Sequence, residues 1–133
     1  MRKTVLVLVL AGTPVLGAAQ VEVPGKTLYD GYCAACHGLE GRGEGWMSQF
    51  LVHQPPALYT LSRQYGGRFP DEFVRFVIDG RRQVKLHGPR EMPIWGYVFQ
   101  AEPGPTFGPA RPDPIIVQER IGRLVEYLKE IQE

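Results

Sequence analysis

The sequence predicts an all-α domain in which three to five helices are joined by long loops. Its clearest helical pattern lies near the C-terminus, where apolar residues recur on one face: Ile121, Leu124, Val125, Leu128 and Ile131. The 16 Gly and 12 Pro of the chain indicate that much of the remainder is loop. The 133 residues suffice for one domain, and a loop-rich domain of this size often needs a disulfide, a metal or a cofactor for stability.

The first 19 residues have the pattern of a secretory signal peptide. Two basic residues follow the initial Met, an apolar run covers residues 5–16, and small residues end at Ala19. The apolar run has about 12 residues, fewer than the ~20 that span a bilayer, and it contains Pro14. We therefore expect cleavage after Ala19 and a single exported domain, residues 20–133, that is soluble in the periplasm and has no stable membrane insertion. An uncleaved membrane anchor is the alternative.

Three helices can be placed along the exported domain. The first is expected over residues 23–36, where apolar residues recur at helical spacing. The second is expected over residues 71–79, between Pro70 and Gly80, with an apolar stripe of three residues: Phe73, Phe76 and Val77. The third begins near residue 116 and runs to the C-terminus.

Two long segments between these helices are expected to be loops. Residues 80–97 surround the dipeptide Met92-Pro93, and residues 101–114 contain five prolines, too many for a regular element. One interpretation of the second segment is a solvated loop without a specific role. The alternative interpretation is a docking surface or a cover over a cofactor.

Charge is unevenly distributed along the exported domain. Residues 63–90 contain seven basic and three acidic residues, a net charge of +4, whereas residues 91–133 carry a net charge of −3. A broad basic surface is absent from this pattern, so nucleic-acid binding is not predicted. The local positive excess, including Arg81 and Arg82, is instead suited to steering an acidic protein partner.

The sequence Cys33-Ala-Ala-Cys36-His37 is the attachment motif for c-type haem. Two cysteines three residues apart on a helical turn can each form a thioether with one haem vinyl group, and the next residue then places an imidazole under the iron. We therefore predict Cys33 and Cys36 as the covalent attachment sites and His37 as the proximal iron ligand. A disulfide or a thioredoxin-type redox pair are the alternatives, and neither requires the histidine.

The second axial position of the iron is predicted to be occupied by Met92. This residue lies in a segment bounded by proline and glycine, well downstream of the motif, and Pro93 fixes the backbone beside it. A thioether ligand would leave the iron saturated and suited to electron transfer. The other candidates are Met47, His53 and His87, of which His87 is the runner-up, and Met92 could alternatively be a core-packing residue.

Several segments together resemble the class I c-type cytochromes, which carry one haem. The resemblance covers the N-terminal helix, the haem loop, the axial methionine loop and the C-terminal helix, in the segments 25–29, 33–38, 41–43, 92–93 and 124–128. It implies a small cytochrome c fold in which the helices pack around one covalently bound haem c with its iron. It also implies that the first and last helices cross closely, with Gly25 permitting the approach and Tyr29 and Tyr127 packing at the crossing.

The chain departs from the smallest members of that family by the Pro-rich stretch at about residues 95–115. Four residues flank the methionine segment and are candidates to contact the haem propionates: Arg82, Arg90, Trp95 and Tyr97.

The expected function is that of an electron carrier, not an enzyme, which exchanges single electrons with transient redox protein partners. One alternative is a tightly bound electron-entry subunit of a dehydrogenase, reductase or oxidase complex. A further alternative is a haem sensor or enzyme with an open iron face, although no second catalytic constellation stands out in the sequence.

Overall fold

A computed structural model describes residues 23–81, 92–101 and 114–133, and in these ranges the chain is all helix and loop, without strands. Several predictions fall outside the described residues and stay predictions. They concern the signal peptide, most of the Pro-rich stretch, and the residues Arg82, His87 and Arg90.

The described residues contain six α-helices and one 3₁₀ turn. In chain order these are α1 (Gly25–Tyr32), α2 (Ala34–His37), the 3₁₀ turn (Ser48–Phe50), α3 (Leu61–Gln64), α4 (Asp71–Asp79), α5 (Trp95–Ala101) and α6 (Pro114–Glu130). The all-α fold class is confirmed. The described helices outnumber the three to five that were expected, because α2 and α3 are single turns of four residues and α5 lies where a loop was expected to continue to residue 97.

The core is built on α6, which packs against α1, α4 and α5. Its buried face consists of Val117, Ile121, Leu124, Val125 and Leu128. The helix begins at Pro114, two residues before the predicted start. Proline is tolerated in a first turn because the N–H group that it lacks would have no helical partner there.

The predicted close crossing of α1 and α6 is confirmed. A side chain at Gly25 would overlap the backbone carbonyl of Arg123, so the helices approach closely only because residue 25 lacks a Cβ atom. One turn further along, the rings of Tyr29 and Tyr127 meet with centroids 5.2 Å apart. The crossing therefore combines backbone contact at one end with aromatic packing at the other.

The bounds of α4 were predicted correctly, but its buried face was not. Val74 and Ile78 face the core, whereas Phe73 is 41% exposed and stacks on Tyr65 at the surface with centroids 5.8 Å apart. Positions 74 and 78 are four residues apart and so lie on one helical face. Apolar residues lie on both sides of this short helix, so periodicity alone did not identify the face that packs on α6.

Candidate functional site

The predicted attachment motif forms its own helical turn. The single helix expected over residues 23–36 is divided at Cys33, whose φ of −115° departs from helical values. The Cys33 carbonyl then accepts hydrogen bonds from the backbone N–H groups of Cys36 (3.1 Å) and His37 (2.9 Å), which closes α2 as one turn. Both cysteines and the histidine therefore lie on one compact turn that follows α1.

Both thiols are free and partly exposed, with no disulfide between them. Burial, with a smaller contribution from the neighbouring Cys36, raises the pKa of the Cys33 thiol to about 12. Thioredoxin-type sites work in the opposite way, by lowering the pKa of the attacking thiol. The surroundings of Cys33 thus disfavour thiol–disulfide exchange.

The imidazole of His37 is buried and held at one nitrogen. Its Nδ1 lies 3.3 Å from the carbonyl oxygen of Pro56, and burial lowers the pKa of the ring. A neutral ring that donates from Nδ1 to this carbonyl keeps the lone pair of Nε2 available for a metal. The ring therefore has the protonation state and the orienting contact that are typical of a metal-binding histidine.

The segment that supplies this carbonyl is placed by Gly43, which the sequence analysis noted only as part of a loop. Gly43 has a positive φ of 82°, and a side chain there would overlap the carbonyl oxygen of Pro55. Its backbone N–H also donates to the carbonyl oxygen of His37 at 2.8 Å. The contact between His37 and Pro56 could not be predicted from local sequence, because the two residues are 19 positions apart.

Met92 is partly buried and packs against the core. Three residues later, the indole of Trp95 meets the ring of Tyr32 at 5.4 Å between centroids, and Phe99 stacks on Trp95 and meets Tyr32 edge to face. Tyr32 directly precedes Cys33. An aromatic cluster therefore links the segment that carries Met92 to the segment that carries the attachment turn.

The other candidate ligands are less suitably placed where they are described. His53 is exposed, and the backbone N–H of Met47 bonds to the carbonyl of Ala35, which fixes residue 47 beside the attachment turn. Among the candidate propionate partners, Trp95 packs in the aromatic cluster, whereas Tyr97 is 56% exposed.

The donor set fits a haem iron. Imidazole nitrogen and thioether sulfur, the donor types that His37 and Met92 would offer, are both known ligands of haem iron, and the two thiols have the spacing needed for attachment. Within the described ranges, no group of three or more His, Cys, Asp or Glu residues could hold a metal ion by itself. The same residues contain no helix that is long and apolar enough to cross a membrane.

The chain was compared with protein families, curated proteins and solved structures. A family model described as Cytochrome c matches residues 22–132, nearly the whole of the predicted exported domain. The comparisons with curated proteins and with solved structures found no match.

Proposed function

The chain belongs to the cytochrome c family, whose members bind covalent haem c with its iron, and we propose that it is a periplasmic electron carrier with His37 and Met92 as axial ligands. When bound, the haem supplies one-electron chemistry between Fe(III) and Fe(II). In this proposal Cys33 and Cys36 attach the haem, and the protein exchanges electrons with partners during transient encounters.

The observation that carries the proposal is the geometry of the attachment turn. The hydrogen bond from Nδ1 of His37 to the Pro56 carbonyl keeps the proton on Nδ1, so that Nε2 has the lone pair that can bind a metal. The turn itself is closed by two backbone hydrogen bonds to Cys33, which fix the backbone from which both cysteines and the histidine project. A preorganised histidine ligand beside two attachment sites is what covalent haem binding requires.

Ligation by Met92, as proposed, would suit a carrier rather than an enzyme. An iron with both axial positions filled has no open position for a substrate, and little has to rearrange when its charge changes. The partly buried position of Met92, at the start of a segment anchored by Trp95 and Phe99, favours a stable ligand.

The periplasmic location in this proposal is inferred from the signal-peptide pattern of residues 1–19.

The first test is an absorption spectrum of the purified haem-loaded protein, oxidised, reduced and then exposed to carbon monoxide. We expect a far-red sulfur-to-iron charge-transfer band in the oxidised form and no response of the reduced form to carbon monoxide. Met92→Ala should abolish the band and open the iron to carbon monoxide. Met47→Ala is the matched control, since it removes the other methionine of the exported domain and should leave both properties unchanged.

Two further results would reject parts of the proposal. Ready carbon monoxide binding by the parent protein would indicate an open iron face and favour a sensor or an enzyme. Covalent haem retained at full yield in Cys33→Ser and Cys36→Ser would contradict the attachment sites. For the partners, co-elution with a co-expressed dehydrogenase through gel filtration would indicate a permanent subunit instead of a transient carrier.

A further inference from the structure

The ion pair between Asp79 and Arg81 lies at the junction of α4 and α5. Asp79 is the last residue of α4, and Gly80 turns the chain with a φ of 65°. Arg81 then folds back and donates from Nε to Oδ1 of Asp79 at 2.5 Å and from a terminal nitrogen to Oδ2 at 2.8 Å. Both side chains are about three-quarters buried, with exposed fractions of 26% and 23%. The pair is thus bidentate and largely shielded from water, unlike a surface ion pair.

This ion pair packs directly on the backbone of α5 at Gly96. A Cβ atom at position 96 would lie 2.5 Å from Oδ1 of Asp79 and 2.7 Å from Nε of Arg81. No side chain fits between the pair and the helix, so the glycine is what permits the contact. Asp79 also accepts a hydrogen bond from Gln118 of α6 at 3.2 Å, which connects the junction to the longest helix.

The position of this contact in the chain links it to Met92. Gly96 lies four residues after Met92, and Arg81 precedes the ten-residue segment that ends just before Met92. The contact therefore holds together the two ends of the stretch from Arg81 to the methionine segment. The partners of the ion pair lie only two residues apart, so the pair acts on the methionine segment through its packing on Gly96.

We infer that the Asp79–Arg81 ion pair is a positioning contact for Met92, which holds α5 and the methionine segment in place through its packing on Gly96. The inference rests on the proposed function, because it assumes that Met92 binds the iron. On this reading Asp79 and Arg81 touch neither the iron nor a partner, and they act only through the position of α5. Loss of the pair should release the methionine from the iron more readily without unfolding the protein.

The test compares two ion pairs of the same helix in the haem-loaded protein. Asp79→Asn and Arg81→Ala disrupt the pair at the junction. Asp71→Asn disrupts the ion pair between Asp71 and Arg75 (2.6 Å), two residues that also form ion pairs with α6. We expect the junction variants to increase the methionine-free fraction about tenfold, which corresponds to ~1.4 kcal/mol. This fraction is measured from the far-red band and from the amplitude of carbon monoxide binding, with Met92→Ala as the fully released reference. Arg81→Lys should recover part of the effect because it keeps the charge.

A second variant disturbs the contact without removing the ion pair. Gly96→Ala should also weaken the far-red band, because the added methyl group would overlap Oδ1 and the backbone carbonyl oxygen of Asp79 as well as Nε of Arg81. The inference is overturned if the junction variants and Asp71→Asn lower the unfolding midpoint equally and all of them keep the parent's band. Absence of the band in the parent protein would reject ligation by Met92, and the inference would fail with it. A band that is present in the parent and unchanged in the junction variants would reject the inference alone.

Discussion

Gly25→Ala tests whether the crossing of α1 and α6 depends on backbone contact. From helix propensity alone, alanine should stabilise α1, because it is more favourable than glycine in a helix by up to about 1 kcal/mol. The crossing predicts the opposite result. The new methyl group would overlap the carbonyl oxygen of Arg123 and would lie only 3.0 Å from Cβ of Tyr127.

The expected loss of stability is about 2 kcal/mol. Inserting a methyl group into a packed contact typically costs about 1–3 kcal/mol, and moving the helices apart also weakens the pair of Tyr29 and Tyr127, which is worth about 0.5–1.5 kcal/mol. The gain in helix propensity offsets part of this loss, and less than usual, because residue 25 is the first of its helix. With a urea m-value of about 2 kcal/mol per molar, the midpoint of unfolding should fall by about 1 M.

The assay is urea unfolding of the haem-loaded protein followed by far-ultraviolet circular dichroism. Gly31→Ala is the matched control, since Gly31 lies in the same helix, is exposed, and has no atom within 4 Å of an added Cβ. That variant should be more stable than the parent by up to about 1 kcal/mol. Equal stabilisation by both substitutions would refute the reasoning, because it would mean that only helix propensity matters at residue 25.

Three further predictions concern the core, acid stability and charge. Phe99→Ala should cost about 3–5 kcal/mol in urea unfolding, because Phe99 is 1% exposed, whereas Phe73→Ala, at a surface position, should cost much less. Hydrogen bonds from Lys129 and then an arginine lower the pKa of Asp71, so its stabilisation is present above its ordinary pKa and is lost as the pH falls through the lower, folded value. The stability deficit of Asp71→Asn should therefore be about 1 kcal/mol or less near neutral pH and should shrink in acid; a constant deficit would contradict this. Arg68→Glu, at an exposed position in the basic segment, should slow oxidation by ferricyanide and flatten its salt dependence more than Lys26→Glu in α1 does; equal effects would exclude local steering.

The steering hypothesis changes because of what the structure shows at Arg81. The sequence analysis placed Arg81 in a positive segment suited to an acidic partner, but its guanidinium is paired with Asp79 and largely buried. The compensating carboxylate is two residues away and was counted in the same segment, so a sum of charges could not show that the two cancel locally. Exposed positive charge in the described part of this segment lies at Arg63 and Arg68.

Features that depend on local sequence were predicted well. The bounds of α4 follow from Pro70 and Gly80, because proline suits the entry to a helix and glycine adopts the left-handed conformation that ends one. The attachment motif is equally local, since its chemistry depends on residues three and four positions apart. The α1–α6 crossing involves distant residues, and it was predicted only through the family resemblance.

Features that depend on tertiary contact were missed. Helix α5 contains glycine, aromatic and β-branched residues, which have modest helix propensity, and it forms because Phe99 is buried against Tyr32 and Trp95. The carbonyl of Pro56 reaches His37 across a loop of 19 residues. Neither contact can be predicted from the periodicity of the sequence.

The two proposed axial ligands are held in different ways, and this difference suggests the order in which they are lost. His37 is held by Gly43, six positions away, and by the longer-range contact with Pro56, and the attachment turn would also be tied down covalently. Met92 depends instead on helix α5, whose anchors are distant in sequence: the ring of Tyr32 and the guanidinium of Arg120, which lies 5.9 Å from the centroid of Phe99. Local openings break long-range contacts at lower free energy than the global unfolding of the core. If Met92 binds the iron as proposed, mild denaturant should therefore release the methionine while the histidine stays bound, because α5 opens before the attachment turn does.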